Sequence, residues 1–398
     1  MTFADLKTDY KGSKAPLFRL ALVTGIRTVL TAGFYRFWMK TRMRRYYWSA
    51  IRPGGMPLEY AGRATEKLLG FLTAVVFLAF YIGIVNLILM FFSFSLFEGN
   101  TPAYALSLLG ITPLIFFAQY RARRYVLART RWRGIRFGLE PGVAGFVWRS
   151  LLHWGLTVVT LGLWWPVKTF WLEKYRTDRT FYGDHRMHQG GSWRMLIRPM
   201  LNLYLSVALM VGAGVAIGVA EDPRFAALIV LGFGWFLYGL GAWKAGTFKA
   251  LTETKTLGEA GLRTQPRTGR IIGIYAGGWG AMVGLFILGM IVSGIVLAII
   301  GAITGFAFDT LGEEVDISTL GSIPPIIPIV TGIILYFGVF IMWNVLKETF
   351  ITLPLAHHFA EVTEIVNPAA LNAVRQRSRD EFAEAEGFAD ALPLGDAF

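Results

Sequence analysis

The sequence contains no cysteine among its 398 residues, which excludes disulfide bonds, thiol nucleophiles and thiolate metal ligands. Charged residues are also scarce: they make up 16% of the chain, against about 25% in soluble domains. Hydrophobic residues reach 54%, and the mean hydropathy is +0.49. This composition predicts a membrane protein.

Acidic residues are fewer than basic ones, with 26 Asp and Glu against 39 Lys and Arg, for a net charge of +13. On so apolar a chain, a basic excess is typical of cytoplasmic loops, and we predict no nucleic-acid partner. No glycine-rich phosphate loop, serine-elbow motif or zincin motif is present. The sequence therefore predicts no enzyme activity, no catalytic residue and no cofactor.

Six apolar stretches are long enough to cross a bilayer, which takes about 20 residues in a helix. Only Arg198, near the start of the third stretch, is ionisable within them. The stretches are residues 68–97, 102–120, 195–220, 225–243, 271–308 and 322–346. They predict six transmembrane helices.

The segments between the stretches alternate in charge. Four segments (39–67, 119–141, 168–198 and 244–270) carry six or seven Lys and Arg each, whereas the connections inside each helix pair are short and mostly acidic. Because basic loops stay in the cytoplasm, the sequence predicts three helical hairpins with both termini cytoplasmic.

Two further apolar stretches, residues 15–38 and 142–167, are interrupted by charged side chains. The second lies between two basic segments, so a full crossing would place one of them outside. We therefore expect each stretch to be a broken helix that re-enters the membrane or lies at its interface. The predicted fold class is an all-α polytopic membrane protein.

An internal repeat appears when the chain is compared with itself at one constant offset in numbering, the offset that separates Leu22 from Leu151. The residues Leu22, Thr28, Val29, Thr31, Gly33, Tyr46 and Gly62 recur as Leu151, Thr157, Val158, Thr160, Gly162, Tyr175 and Gly191. We interpret this as a duplication. The predicted units are residues 1–141 and 142–270, each with a broken helix, a basic segment and a hairpin, followed by a third hairpin (271–372) and a flexible acidic tail (373–398).

The repeated segments resemble the YjgN-like bacterial inner-membrane proteins, a family catalogued as a domain of unknown function. The resemblance rests on residues 30–38 and 42–46 and on the second copy at 160–166, 173–175 and 180–184. Its motif residues, which we assign to the membrane interface, are Gly33, Trp38, Arg45, Tyr46, Gly162, Trp164, Pro166, Lys174, Tyr175 and Gly183. The resemblance implies a multi-pass inner-membrane protein and supplies no established activity.

The broken helices carry the strongest functional signal. In the second, four polar residues lie within about 80° of arc at the helical repeat of 100° per residue; they are Arg149, His153, Thr157 and Thr160. The first has Thr24, Thr28 and Thr31 on the equivalent face, with Arg27 beside it. Paired polar stripes on broken helices are typical of transporters.

Two functions remain open. The first is a transport or channel module whose stripes form a path for a polar or anionic solute. The alternative is a non-transporting envelope scaffold whose basic loops bind protein partners, which the sequence does not identify, or anionic lipid. In that alternative the threonine hydroxyls face headgroups or bond to their own backbone.

The histidine pairs predict no metal site. His185 and His188 lack further ligands, and Arg186 between them opposes a cation; His357 and His358 are interpreted as a solvated turn. Small residues along 271–308, including Gly280 and Gly284, indicate close helix packing either within the bundle or in a homo-oligomer.

Overall fold

A computed structural model describes residues 5–97, 101–304 and 326–377. The structure is 72% helical and also contains a sheet of ten short strands. The chain forms two compact units. The first unit is built from Met1–Gly12, Arg36–Ile272 and His357–Phe398, as far as these are described, and the second from Ser13–Tyr35 and Gly273–Ala356.

The helices within the described residues are α1 (Lys14–Leu30), α2 (Arg36–Ala50), α3 (Ala64–Phe97), α4 (Thr101–Ala128), α5 (Val143–Val159), α6 (Trp165–Thr177), α7 (Ile197–Ala220), α8 (Ala226–Glu253), α9 (Thr268–Thr304), α10 (Ile326–Lys347) and α11 (Leu353–Glu361). A π-helical turn, Glu348–Thr352, joins α10 to α11.

The ten strands are two to five residues long: β1 (Leu6–Tyr10), β2 (Ile51–Pro53), β3 (Glu59–Tyr60), β4 (Thr130–Trp132), β5 (Ile135–Leu139), β6 (Thr180–Tyr182), β7 (His185–Gln189), β8 (Lys255–Leu257), β9 (Ala260–Thr264) and β10 (Thr363–Val366). Their order is β2-β1-β10-β9-β8-β7-β6-β5-β4-β3, and every neighbouring pair is antiparallel.

Tight turns and helical insertions alternate along this sheet. Short turns join β2 to β3, β4 to β5, β6 to β7 and β8 to β9, whereas every other connection between consecutive strands contains two or more helices. In the β4–β5 turn both central residues, Arg133 and Gly134, have positive φ (52° and 77°), as a two-residue hairpin requires. The sheet lies wholly in the first unit.

Threonines end the helices that lead into four strands. Each side-chain hydroxyl donates to the carbonyl four residues earlier, in the last helical turn, where carbonyls lack the amide partner that a continuing helix would supply. These bonds are Thr130 to Val126 (2.8 Å), Thr180 to Arg176 (2.8 Å), Thr254 to Ala250 (2.7 Å) and Thr363 to Phe359 (2.7 Å).

The all-α prediction is wrong because the sheet was missed. Strands β2 to β9 lie inside the four basic segments that were predicted as loops. They are too short for an alternating hydrophobic pattern, and much of their sequence is charged, so periodicity could not reveal them. Their signal was the set of turn dipeptides, such as Gly183-Asp184 and Gly258-Glu259.

Four helical segments of the described chain are long and apolar enough to cross a membrane by length and composition: Trp193–Ala220, Pro223–Glu253, Thr268–Ile295 and Tyr336–Glu361. The first three coincide with predicted spans, whereas Tyr336–Glu361 overlaps the predicted sixth span only over residues 336–346 and continues beyond it. The other two predicted spans form α3 and α4, which are not among the four, so a total of six spans stays a prediction. Part of the fifth span and the Pro-rich start of the sixth lie outside the described residues.

Apolar side chains on these helices are exposed rather than packed. On α7 and α8, Val219 and Val230 are 81% and 72% exposed, as expected for helices surrounded by lipid. Glycines let the pair approach closely, because a Cβ at Gly232 would lie 2.5 Å from Met210 Cγ. These features support a membrane protein.

In the second unit, α1 packs against α10, and a Cβ at Gly25 would lie 2.9 Å from Ile341 Cγ2. The predicted small-residue stripe on α9 is open: no described atom lies within 4 Å of a Cβ placed at Gly277, Gly280 or Gly284. Homo-oligomer formation through this stripe stays a prediction.

Of the predicted acidic tail, only residues 373–377 are described, and its carboxylates at 380–386 lie outside the described residues. The predicted repeat-unit boundaries at 141, 270 and 372 likewise stay predictions.

Candidate functional site

The two predicted broken helices form two helical corners with the same local geometry. The first corner consists of α1, a turn and α2, and the second of α5, a turn and α6. The corresponding helices begin in the register of the sequence repeat, since α1 and α5 start at Lys14 and Val143 and α2 and α6 at Arg36 and Trp165. The break in each helix falls where it was predicted, beside Gly33 and Gly162.

Backbone angles in the two turns match closely. Ala32 and Leu161 both have a φ of 49°, and Gly33 and Gly162 have φ of 91° and 92°. The amide of Gly162 donates to the carbonyl of Thr157 at 2.7 Å, and the amide of Gly33 donates to Thr28 at the same distance. This bonding is a Schellman motif, which ends a helix through a left-handed residue.

A threonine hydroxyl closes each turn. Thr160 Oγ1 donates to the carbonyl of Leu156 at 2.7 Å and accepts the amide of Trp164 at 3.1 Å. Thr31 Oγ1 donates to Arg27 at 2.8 Å and accepts the amide of Tyr35 at 2.9 Å. These two threonines therefore fix the direction in which the chain leaves the corner.

The remaining predicted stripe threonines also bond within their own helices. Thr24 donates to Leu20 at 2.7 Å, Thr28 to Thr24 at 2.8 Å, and Thr157 to His153 at 2.7 Å. Thr24 and Thr157 are buried. This is the arrangement that the scaffold alternative expects of hydroxyls bonded to their own backbone, and the predicted polar path stays a prediction.

Three basic side chains meet at the second corner: Arg149, His153 and Lys168, which we call the basic cluster. His153 Nδ1 accepts a hydrogen bond from Trp164 Nε1 at 3.0 Å. The guanidinium of Arg149 donates to the carbonyl of Gly145 at 3.0 Å and lies 4.8 Å from the centre of the Tyr175 ring.

Lys168 lies between two tryptophan rings. Its Nζ is 3.4 Å from the ring centres of both Trp154 and Trp165, and the residue is 5% exposed. Burial lowers the pKa of Lys168 to about 8. Burial also lowers the pKa of His153, and the neighbouring charges of Arg149 and Lys168 lower it further.

The basic cluster has no acidic counterpart in the described part of the chain. None of its three side chains forms an ion pair with a carboxylate there, and the groups act on one another as like charges. Such a cluster attracts anions, more strongly so where aromatic rings exclude water.

A buried carboxylate lies deeper in α6 and anchors the second corner. Glu173 is 2.7 Å from Lys255 Nζ, 2.8 Å from Arg176 and 3.6 Å from Arg123. Burial alone raises the pKa of Glu173, but the three cations and the Lys255 hydrogen bond outweigh it and hold this pKa well below its usual range. These contacts join α6 to α4 and β8.

The motif residues tie the corners to their surroundings. Tyr175 donates through its hydroxyl to the carbonyl of Gly142 at 2.8 Å. Lys174 donates to the carbonyl of Gln189 at 2.8 Å, and its first-copy equivalent Arg45 donates to Gly62 at 3.0 Å. Tyr175 also belongs to a buried cluster beneath the second corner, with Phe116, Tyr120, Leu139 and Phe146.

The other motif residues have structural surroundings. Pro166 is buried in the first turn of α6, and Gly183 takes a positive φ of 58° in the β6–β7 turn. Trp38 packs beside the buried pair Phe37 and Ala64, and the Tyr46 ring lies edge-on to Tyr47. A search of the described residues finds no cluster of three His, Asp or Glu that could hold a metal.

A family model for bacterial proteins of unknown function, DUF898, matches residues 5–391. The chain belongs to this family. The predicted resemblance to a family of unknown function is thereby confirmed, as is its bacterial character. No curated protein and no solved structure shows significant similarity to this DUF898 chain.

Sequence reasoning missed Lys168, Trp154 and Glu173 of this DUF898 protein. Lys168 was taken as the first residue of a basic loop, although its spacing of three from Trp165 places both on one face of a helix. The partners of Glu173 come from α4 and β8, and no local pattern brings them together.

The interpretation of His357 and His358 as a solvated turn is wrong for His358. His358 is 7% exposed, and its Nε2 accepts the backbone amide of Arg267 at 3.1 Å. His357 is partly exposed, pairs with Glu361 at 2.7 Å and stacks on Tyr10. The two residues lie near the end of α11, which follows the predicted sixth span in the chain. Both belong to the first unit.

Proposed function

We propose that this protein is a non-transporting protein of the bacterial inner membrane that binds anionic phospholipid headgroups at its second corner. One observation carries the proposal. The corner combines an exposed apolar tip, formed by Val159 and Leu161, with a basic cluster that lacks a carboxylate partner among the described residues. An apolar tip suits the acyl chains, and the basic cluster suits the phosphates above them.

The tip is too short to cross the bilayer. Helix α5 has 17 residues, or about 25 Å, against a hydrocarbon core of about 30 Å. At its end Val159 and Leu161 are 80% and 94% exposed. Leu161 also occupies a left-handed position that favours glycine. The exposed leucine at that position supports insertion of the tip into one leaflet.

Depth places Arg149, the outermost member of the basic cluster, near the headgroups. Arg149 precedes Val159 by ten residues, which is about 15 Å along the helix and half of the hydrocarbon thickness. Trp154, Trp164 and Trp165 lie around the cluster, and tryptophan is enriched at the membrane interface. Each basic group near an anionic surface contributes about 1 kcal/mol of binding.

The charge of the segments between the apolar stretches also supports a membrane topology. We propose that six helices span the membrane as three hairpins and that the four basic segments face the cytoplasm with both termini. The positive charge of these segments supports this orientation. A duplication that produced the second corner from the first is supported by the matching bounds and turn angles of the two corners.

Depth-dependent quenching tests the insertion, and the absence of cysteine makes single labelling sites available. A fluorophore on Leu161→Cys should be quenched most by nitroxides deep in the acyl chains. The same label on Asp184→Cys, in the β6–β7 turn, should respond only to aqueous quenchers. Equal, purely aqueous quenching at both sites would contradict the insertion.

The preference of the second corner for anionic lipid tests the proposed binding. The test variant replaces the basic cluster with the residues at the equivalent positions of the first corner. The triple variant Arg149→Leu, His153→Thr and Lys168→Met installs the residues that the first corner has at Leu20, Thr24 and Met39. A label at Leu163→Cys should show anionic spin-labelled lipid enriched over its phosphocholine analogue, and the triple variant should lose this enrichment roughly tenfold or more.

The matched control is Arg27→Leu, which gives the first corner the residue found at Leu156. It removes one positive charge without touching the basic cluster, so the preference at Leu163→Cys should not change. An unchanged preference in the triple variant would overturn the proposal.

Transport of an anionic solute is a second candidate, favoured by the unpaired positive charge of the basic cluster. It requires water along the threonine stripes. Cysteines at Thr157 and Thr160, compared with Val158, would react with impermeant thiol reagents if the stripe were wet. Flux of anionic solutes into proteoliposomes above that of protein-free vesicles would favour this candidate over lipid binding.

A further inference from the structure

A cavity of about 700 Å³ opens in the first unit, away from the second corner. It lies between the segment that joins β9 to α9 and the segment that joins α11 to β10. Its charged lining consists of Arg263, Arg267, Arg270, His358, Glu361 and Glu364. The volume falls within the range of about 300–1,000 Å³ that is usual for small-ligand sites.

Two arginines of the lining, Arg267 and Arg270, supply positive charge. Arg267 and Arg270 are exposed, and neither forms an ion pair with a carboxylate of the described chain. Arg270 lies in the first turn of α9, where the helix dipole also favours an anion. The buried His358 accepts a hydrogen bond from the backbone amide of Arg267 and thereby fixes the backbone at the first of the two arginines.

Two carboxylates also belong to the lining. Glu361 ends α11, and Glu364 lies in β10 directly across from Arg263 of β9. Arg263 is itself held by Asp5 at 3.1 Å. The lining therefore combines two guanidinium groups without acidic partners in the described chain with two carboxylates, of which Glu361 pairs with His357 at 2.7 Å.

Both signs of charge restrict the ligand. A simple anion would meet the carboxylates, and a simple cation would meet the arginines, each at a cost in desolvation. A zwitterion with a phosphate at one end and an ammonium at the other provides a partner for both kinds of charged group. Arginine suits phosphate oxygens, and a primary ammonium donates up to three hydrogen bonds to carboxylates.

The position of the cavity indicates where such a ligand comes from. Two candidate membrane spans meet its lining, since Thr268–Ile295 begins and Tyr336–Glu361 ends beside it. The ends of membrane spans lie at the level of the lipid headgroups. We propose that the cavity binds a phosphoethanolamine group, with the phosphate on Arg267 and Arg270 and the ammonium on Glu361 and Glu364.

Binding measurements on the full chain in nanodiscs test this assignment. The probes are free phosphoethanolamine, phosphocholine and inorganic phosphate, in discs of phosphatidylcholine. Phosphoethanolamine should bind at least tenfold more tightly than the other two, because only it provides both the phosphate and the N–H donors. Equal affinity for inorganic phosphate would overturn the proposal.

Discs that contain phosphatidylethanolamine separate the two sources of the group. If the headgroup occupies the cavity, these discs should abolish binding of the free compound by competition. If the free compound still binds with the same affinity, the ligand is the soluble phosphate ester. Either result supports the shared chemistry, whereas no binding of either source contradicts it.

Variants assign the contacts. Arg267→Gln with Arg270→Gln should lower affinity for phosphoethanolamine at least tenfold, and Glu361→Gln with Glu364→Gln should remove its advantage over inorganic phosphate. Lys249→Gln removes one positive charge at an exposed site on α8 outside the cavity lining, and this control should bind normally. None of these residues belongs to the basic cluster, so this test and that of the second corner fail independently.

Discussion

The turns of the first and second corners share their backbone angles, whereas the residues around them differ in chemistry. Their turns have the same φ angles within 1° at Gly33 and Gly162, and the same threonine and glycine hydrogen bonds close them. At the three positions of the basic cluster, however, the first corner carries Leu20, Thr24 and Met39.

This difference separates the residues that shape a corner from those that give it a ligand. Thr160 and Gly162 are sufficient to explain the turn, since their counterparts Thr31 and Gly33 produce it without a basic cluster. The cations at Arg149 and Lys168 contribute nothing to the turn's hydrogen bonds. The proposed headgroup binding therefore depends on residues that the hydrogen bonds of the turn do not require.

The largest expected effect comes from the anchor of the second corner. Glu173→Gln should destabilise the protein by about 3–5 kcal/mol, because it leaves buried cations without their counter-charge. The equivalent residue in the first corner, Arg44, lies over the Trp48 and Tyr60 rings at 5.7 and 5.3 Å. Arg44→Gln should cost about 1 kcal/mol. Thermal unfolding in detergent measures both.

The same carboxylate predicts the response to acid. The pKa of Glu173 is depressed in the folded protein, so its stabilising contribution is present above the unfolded pKa of about 4.3 and is lost as pH falls toward the folded value. The loss of stability below about pH 4 should be smaller in Glu173→Gln. If both proteins lose stability equally at low pH, the protonation of Glu173 does not cause the loss.

Alanine at the turn glycines should test whether the backbones are equivalent. Gly33→Ala and Gly162→Ala should each cost about 1–3 kcal/mol, since the positive φ is strained while no described atom crowds the added Cβ. Gly155→Ala, inside α5 and equally uncrowded, should stabilise by about 0.5–1 kcal/mol. Unequal costs at the two turns would break the comparison.

Alkaline pH distinguishes the corners through Lys168. Its pKa of about 8 lies below that of an unfolded lysine, so the unfolded chain binds more protons between about pH 8 and 10.4. Stability should therefore rise through this window, with a Tm increase of about 2–4 °C. Lys168→Met should remove this rise, whereas Lys249→Gln should keep it.

The smallest effect is expected at the tip. Leu161→Gly relieves the left-handed strain and should stabilise the detergent-solubilised protein by about 0.5–1 kcal/mol. In nanodiscs the gain should disappear, because the leucine then buries apolar surface in lipid. Equal gains in both media would mean that Leu161 does not enter the membrane.

Helices and corner positions could be predicted from the sequence because long apolar runs and glycines after a helical stripe are local signals. Gly33 and Gly162 were predicted as helix ends, and α1 and α5 end three residues before them, at Leu30 and Val159. A common origin of the two corners stays a prediction.

The sheet and the buried charges could not be predicted in the same way. The strands owe their order to pairings between segments far apart, such as β1 with β10. Glu173 meets Lys255 across 82 residues, and Lys168 is buried by rings from both helices of its corner. In each case the determining contact is tertiary, whereas the local sequence resembles an ordinary basic loop.

The alternation of tight turns and helical insertions sets a parity rule. When two neighbouring strands are antiparallel, the first ends at the same side of the sheet at which the second begins. Each helical insertion therefore leaves the sheet and returns to it on one side. A chain segment that starts and ends on one side of a membrane crosses it an even number of times or not at all. The proposed helical hairpins and the proposed half-inserted corners both satisfy this rule.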